Sequence, residues 1–359
     1  MPNEFDYHKL KKIPSPLLKW YDKNARILPW REAPTPYRVW VSEIMLQQTR
    51  VSAVMPYFER FMNALPDVYS LAACPEEQLL KLWEGLGYYN RVRNLQKAAK
   101  ILVEQYSGQL PKDYHALLSL PGIGEYTAGA ISSIAYQMPY SAVDGNVCRV
   151  IMRILDCHKD VGDAHIKKEI SKGLQSLKVK RIGDFNQALM ELGALICVPN
   201  GCAKCLLCPI LHLCGAYEAK TVEQLPVKSA KGSKRVEERT VLLLIYQDRI
   251  ALTKRNERGL LANMWEFPNV AGKLHLKEIE DYLQEREIRI EAIGSVKKAK
   301  HVFTHLIWQM NGIGLQVQKP NNIYKWVTLE DINRYYPIPS AYKVFHDWVV
   351  LLQREFLRE

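Results

Sequence analysis

Eight cysteines occur in the chain, and five of them fall between Cys197 and Cys214. They run Cys197-x7-Cys205-x2-Cys208-x5-Cys214, with Cys202 inside the first gap. A secreted disulfide framework spreads its cysteines through a small, loop-rich chain, whereas one tight cluster reads as a metal site. Structural zinc normally takes two separated cysteine pairs that close a tetrahedron from opposite sides. Here three thiols share one short loop, and Cys197 follows a helix expected over Glu191 to Ile196. That arrangement suits a [4Fe–4S] cube, which needs one thiolate at each iron corner. Cys202 is an alternative first ligand, in a tighter C-x2-C-x2-C-x5-C run.

Two carboxylates stand in contrasting surroundings. Glu43 lies in Val41-Ser42-Glu43-Ile44-Met45-Leu46-Gln47-Gln48-Thr49, otherwise apolar and amide-bearing. An acid buried there resists ionisation, as a general acid at neutral pH requires; an exposed helix face is the other fate of a glutamate. Asp144 follows the extended Ser141-Ala142-Val143 and precedes a helix beginning near Gly145-Asn146, so it can cap that helix. A capping carboxylate is held ionised and rigid by the helix N-terminus. One protonated and one ionised carboxylate make the pair that glycoside hydrolysis uses. An N-glycosidic bond poses the same problem, with a base as the leaving group.

The elements that position these groups fall into two textures within 359 residues, a length that suits two domains. From about Asp6 to Tyr217 the spacing of apolar residues predicts helices, among them Tyr37 to Gln48, Pro75 to Trp83, Arg91 to Tyr106, Glu125 to Tyr136, Val147 to Leu155 and His165 to Leu177. Leu120-Pro121-Gly122-Ile123-Gly124 reads as a turn between two helices, and its glycines let backbone amides approach a phosphate. An ordinary helix–helix turn has the same look. Pro226 to Arg235 is a basic, small and polar linker. Beyond it, strand-like runs at Thr240 to Tyr246, Arg249 to Thr253, His301 to Met310 and Asn311 to Val317, with a helix at Leu276 to Arg286, predict an α+β half.

The net charge of +11 points to a polyanionic partner, nucleic acid before anionic membrane. The first twelve residues are charged rather than signal-like, and no long apolar run occurs. The expectation is a soluble, cytoplasmic protein (nucleoid-associated if bacterial), without a membrane partner and monomeric.

The hairpin, Asp144 beyond it and the cysteine loop at 197–214 together resemble the helix-hairpin-helix DNA glycosylase superfamily. The resemblance implies a multi-domain chain: an all-α glycosylase domain over 1–217 with a [4Fe–4S] cluster loop, a basic linker over 218–238, and a Nudix-like α+β domain over 239–359. The family's usual first cysteine gap is six residues, one shorter than here. Its motif places the first ligand directly after an ELGA-type helix, which favours Cys197, with Cys205, Cys208 and Cys214 completing the set.

Relatives that also nick the strand, such as endonuclease III, place a lysine nucleophile two residues after the Gly-x-Gly; that position is Tyr126, which cannot form a Schiff base. Tyr126, the SEIMLQQT run and Leu28-Pro29-Trp30-Arg31 look like the MutY type of adenine DNA glycosylase, enzymes that remove adenine mispaired with 8-oxoguanine. The resemblance implies that Glu43 protonates the adenine and Asp144 stabilises the sugar cation, with Tyr126 and Asn146 in support. Arg26, Leu28, Trp30, Arg31 and Gln187 would line the adenine pocket, and Gln48 and Tyr88 would wedge into the duplex beside Thr49 and Leu86. Gly122 and Gly124 would hold phosphate. Gly259 to Pro268 resembles the WEFP segment of Nudix domains, yet Arg286-Glu287 is followed by Ile288, Arg289 and Ile290 rather than by glutamates for magnesium. The second half is therefore expected to bind rather than hydrolyse. Phe303-Thr304-His305 resembles the Phe-Ser-His loop that reads 8-oxoguanine, with threonine replacing serine. The expected partner is double-stranded DNA holding A:8-oxoG or A:G.

Overall fold

The computed structural model describes residues 7–199, 201–229 and 232–356. Asp6, where the helical half was expected to begin, and Ala230 and Lys231 of the expected linker lie outside the described residues. The chain divides into two compact units, residues 1–73 with 93–231 and residues 74–92 with 232–359. The segment 74–92 thus clusters with the C-terminal half, although the helical pattern places it in the first domain.

The first unit is helical. Pro36–Leu46 begins with proline at N1, and Thr35 caps it by accepting from the Arg38 amide. The apolar faces of Pro14–Asn24, Gly145–Ile154, Ala164–Gln175 and Ile182–Leu195 close over one core containing Leu17, Ile151, Ile170, Phe185 and Leu189. The hairpin consists of Tyr114–Ser119, a turn and Glu125–Ala130. In that turn Gly122 adopts φ +79°, and a Cβ there would lie 2.8 Å from the Asn94 side chain, so glycine is required. The second hairpin helix was expected to run to Tyr136; it widens instead into a π-turn at Ile131–Ala135. The widened turn brings the Ser133 hydroxyl to the Asn186 amide at 2.8 Å, across an approach so close that only Gly183 fits beneath Ser133.

The second unit is a mixed sheet. Its strands are β1 (Arg235–Tyr246), β2 (Arg249–Lys254), β3 (Trp265–Glu266), β4 (Asn269–Ala271), β5 (Ile290–Val302), β6 (Leu306–Val317) and β7 (Lys325–Thr328). The main path runs β3-β2-β1-β6-β5, with β1 and β6 parallel, β4 on β1 and β7 on β2. Strand β1 is buried on both faces: Val241, Leu243 and Ile245 enter one core, Leu242 and Leu244 the other. The helices Leu329–Tyr335 and Lys343–Phe356 cover the first face and Leu276–Gln284 the second.

Two sequence expectations change here. The run His301 to Met310 is not one strand; β5 stops at Val302, residues 303–305 turn, and β6 starts at Leu306. Strand β5 itself has no counterpart in the sequence reading, because this edge strand is mostly exposed, lysine-bearing and interrupted by register shifts. Lysines and bulges are how sheet edges avoid pairing with other chains. No helix among the described residues is long and apolar enough to cross a membrane.

Candidate active site

The hairpin and several helices of the first unit line a cleft of about 850 Å³. Glu43, Tyr126, Asp144, Asn146, Arg26, Leu28, Trp30, Arg31, Gln187, Gln48, Thr49 and Gly124 all line it. The chain delivers them from segments more than a hundred residues apart. Pro36–Leu46 carries Glu43, the hairpin carries Tyr126, Gly145–Ile154 begins at Asp144, and Ile182–Leu195 carries Gln187.

Glu43 is 5% exposed, and the Tyr126 hydroxyl donates a very short hydrogen bond to its Oε2. Burial raises its pKa to about 7; the Tyr126 bond and Arg31 oppose the rise, and the charge of Asp144 adds to it. The Tyr126 phenol is pushed well above its usual range by burial and by Glu43 and Asp144, so it stays a donor. It also reaches Met190 Sδ at 3.7 Å. Asp144 is held at both oxygens: Oδ1 accepts from the Val147 amide at 2.7 Å, Oδ2 from Asn146 Nδ2 at 2.8 Å. The capping role expected from the sequence is present, and it leaves the carboxylate fixed at the cleft wall.

Arg26 and Arg31 line the cleft but are committed to partners. Both bind Glu191, at 2.8 and 2.9 Å, and Arg31 Nε donates to Gln187 at 2.8 Å. Burial acts to raise the Glu191 pKa, yet the two guanidiniums more than offset it and hold the carboxylate ionised. Trp30 is buried, edge-on to Phe58 at 5.4 Å. From the sequence, Glu191 is expected only as part of the helix before the cysteines. It lies four residues after Gln187, one turn along the same face, and that spacing was the signal.

Arg149 is the other group not foreseen. It donates to Asn146 Oδ1, to the Gly193 carbonyl and to the Cys197 carbonyl, each at 2.8 Å. Arg153, one turn further, donates to Cys197 Sγ at 3.2 Å. A continuous set of hydrogen bonds therefore runs from Asp144 through Asn146 and Arg149 to the cysteine loop. The stripe 146, 149, 153 on one helix face was its signal.

In the loop, the Cys208 thiol is pushed up to about 12, chiefly by burial, with Cys197, Cys214 and Cys205 near enough to add to it. Arg153 joins two of these cysteines, its guanidinium donating to Cys197 Sγ at 3.2 Å and its carbonyl lying 3.5 Å from Cys214 Sγ. Cys202 is exposed, with Sγ 3.8 Å from Glu223.

Of the residues expected to contact DNA, Gln48, Thr49 and Gly124 line the cleft, and Leu86, Tyr88 and Gly122 are not part of its lining. Gln48 and Tyr88 both adopt left-handed backbone, φ 59° and 48°, which non-glycine residues rarely do and which clusters at functional positions. Leu86 was expected beside the wedge; it is buried, and its carbonyl accepts from Arg91 at 3.1 Å, so it braces the turn from within. Gly122 and Gly124 are exposed, and nothing lies within 4 Å of a Cβ placed at Gly124. In the second unit, Phe303 packs edge-on against Trp308 at 4.8 Å, Thr304 and His305 are exposed, and Thr304 Oγ1 lies 3.3 Å from the Tyr88 hydroxyl.

Residues 41–176 match the family model of the HhH-GPD superfamily base excision DNA repair proteins, and residues 240–347 match a NUDIX domain. The chain is 34% identical over 325 residues to an adenine DNA glycosylase of Buchnera aphidicola subsp. Baizongia pistaciae, covering 88% of this chain and 90% of that one. It is 33% identical over 396 residues to the adenine DNA glycosylase of Homo sapiens, covering 92% and 72% respectively. Among solved structures, a thermostable thymine-DNA glycosylase aligns with TM-score 0.53 and 28% identity over 60% of this chain and 100% of that one. Endonuclease III, trapped as a covalent intermediate with DNA, aligns with TM-score 0.52 and 25% identity over 60% and 99%. The fold and cleft therefore define a helix-hairpin-helix base-excision DNA glycosylase with an appended Nudix domain, an enzyme that hydrolyses N-glycosyl bonds. Within that class, the chain belongs to the adenine DNA glycosylase family.

Proposed function

We propose that this protein removes adenine paired with 8-oxoguanine or guanine by hydrolysis, without cutting the strand. The observation that carries the reading is the buried Glu43–Tyr126 pair facing a doubly anchored Asp144, with tyrosine where strand-nicking relatives have lysine. Adenine, turned out of the duplex, enters the cleft beside Leu28 and Trp30. Glu43 keeps its proton near neutral pH and transfers it to a ring nitrogen of adenine, so the base leaves neutral as the bond to the sugar breaks. Asp144 faces the cation that develops on the sugar and stabilises it. The Glu43 carboxylate, now ionised, takes a proton from the attacking water. Tyr126 holds Glu43 in place and, with no amine, offers no Schiff base for strand cleavage.

Cys197, Cys205, Cys208 and Cys214 would hold a [4Fe–4S] cube, a reading supported by Arg153 touching both Cys197 Sγ and Cys214 Sγ. Among the described residues no three His, Cys, Asp or Glu side chains close on a single ion. The guanidinium of Arg153 at Cys197 would offset the negative charge of such a group. The cube would brace the loop that Arg149 ties to Asn146. Gly122 and Gly124 would anchor a phosphate, Gln48 and Tyr88 would fill the space the adenine leaves, and Thr304 with His305 would read the C8 carbonyl and N7 hydrogen of 8-oxoguanine.

Purified protein incubated with end-labelled duplexes holding A:8-oxoG, A:G, A:T or thymine glycol tests this directly. Breaks that appear only after hot alkali, and with A:8-oxoG first, support it. Breaks without alkali, or cleavage at thymine glycol, overturn it.

A further inference from the structure

Tyr88 stands in the segment 74–92, and that segment is tied to the sheet unit by side chains along its length. Glu76 accepts from Asn263 Nδ2 at 3.1 Å. Glu77 accepts from Trp265 Nε1 at 3.0 Å and pairs with Lys254 at 2.9 Å. Lys81 Nζ donates to the carbonyls of Ile332 and Tyr336 at 3.0 and 3.3 Å, and Glu84 accepts from the Ile338 amide at 2.7 Å. Lys81 and Glu84 also pair with each other at 2.5 Å, with side chains only 18% and 27% exposed.

The last two residues matter most, because they meet backbone groups at a helix end and between two prolines. Helix Leu329–Tyr335 closes with the Tyr336 amide donating to the Ile332 carbonyl at 3.3 Å, and Lys81 adds a cation to that same negative end. Ile338 lies between Pro337 and Pro339, so its amide is the sole N–H of that tripeptide. Glu84 takes it. From Glu84 the chain enters a turn in which Gly85, Gly87 and Tyr88 all have positive φ, at 100°, 70° and 48°. The Gly87 carbonyl accepts from Trp83 Nε1 at 3.1 Å and from Arg91 at 3.2 Å. A turn held this way transmits the position of its first residue to Tyr88, whose hydroxyl lies beside Thr304.

We propose that Lys81 and Glu84 are positioning residues for mispair discrimination: they clamp the segment carrying Tyr88 to the unit carrying Thr304, so that wedge and reader meet the lesion as one piece. The proposal rests on the reading of Thr304 and Tyr88 given above. It also gives a reason for the chain to leave the first unit and return to it between residues 73 and 93.

The test is the ratio of single-turnover rates on A:8-oxoG and A:G duplexes for the full-length protein and its Lys81→Met, Glu84→Ala, Glu84→Gln and Thr304→Ala variants. Glu84→Ala and Lys81→Met are expected to lower the ratio by roughly 3- to 10-fold, the range for coupled neighbours, with the A:G rate unchanged. Glu84→Gln keeps an oxygen for the Ile338 amide and should restore most of the ratio. Adding Tyr88→Phe to Glu84→Ala should bring little further change, since both act through the same pairing of Tyr88 with Thr304. A loss of general stability would instead depress both rates together, and that result overturns the proposal, as does an unchanged ratio. If Glu84→Ala fails to fold, Lys81→Met, which keeps the aliphatic stem, decides. Thr304→Ala separates the two layers: a ratio that falls with Thr304→Ala but not with the clamp variants sinks the clamp alone. A ratio indifferent to Thr304→Ala sinks the reader.

Discussion

Glu43 combines two demands that usually conflict, because a carboxyl must be buried to keep its proton and yet reachable to give it away. Burial lifts its pKa from 4.5 to about 7, while the Tyr126 hydroxyl keeps one oxygen partnered. Glu43→Gln preserves shape but has no proton to transfer, so the single-turnover rate should drop by roughly 10²–10⁴ while duplex binding by anisotropy survives. Near-normal turnover would remove Glu43 from the mechanism. The pH dependence has a defined sign. In the proposed mechanism the acid form is the active one, so the wild-type rate should fall as pH rises beyond 7. Stability follows the same direction: the folded chain keeps this proton up to about 7, whereas the unfolded chain releases it near 4.5. Its contribution is complete below 4.5 and lost as pH rises through 7. The Tm of Glu43→Gln relative to wild type should therefore increase between pH 5 and pH 8; a constant difference would contradict the raised pKa.

Helix Ile182–Leu195 joins the cleft to the cysteine loop, and its packing leaves little room. A Cβ at Gly193 would lie 2.6 Å from Asn146 Cβ, the residue that holds Asp144 Oδ2. Gly193→Ala should therefore push the helices apart, cost about 1–3 kcal/mol of stability in thermal denaturation, and slow base release beyond what the reduced stability explains. Unchanged turnover in a folded Gly193→Ala protein would show that Asn146 need not be held so closely. In the loop itself, Cys197→Ser should abolish iron and sulfide incorporation, whereas Cys202→Ser, at an exposed sulfur, should leave both intact. Elemental analysis of the two purified variants decides, and the opposite pattern would move the first ligand to Cys202. Colourless wild-type protein holding zinc would end the iron–sulfur reading altogether.

The whole chain carries a net charge of +11, and Lys297, Lys298 and Lys300 lie on edge strand β5 just before the 303–305 turn. Neutralising phosphates releases counterions, so affinity for any duplex should fall steeply with salt. Replacing the three lysines by glutamine should flatten the slope of log K against log salt by about 1 for each phosphate no longer neutralised, with little change in base preference. Titration of an A:8-oxoG duplex at several salt concentrations, using Glu43→Gln to prevent turnover, measures this. An unchanged slope would place the duplex away from β5.

The meaning of tyrosine in place of lysine came from the family resemblance; residue type and short spacing alone singled out the cysteine loop, the hairpin turn and Asp144 as a helix cap, and offered Glu43 as a candidate. The helices of the first unit were legible for the same reason: their apolar residues recur every three or four positions. Strand β5 was not, since an exposed edge strand has no buried face to write a pattern. Nor was the break of a β-branched run at Phe303, where Trp308 and the start of β6 override local propensity. Glu191 between two arginines, Arg149 spanning Asn146 and Cys197, and segment 74–92 siding with the sheet are facts about which distant side chains meet. Sequence spacing cannot state them, because they exist only once helices and strands far apart in the chain have packed and each buried charge has found its partner.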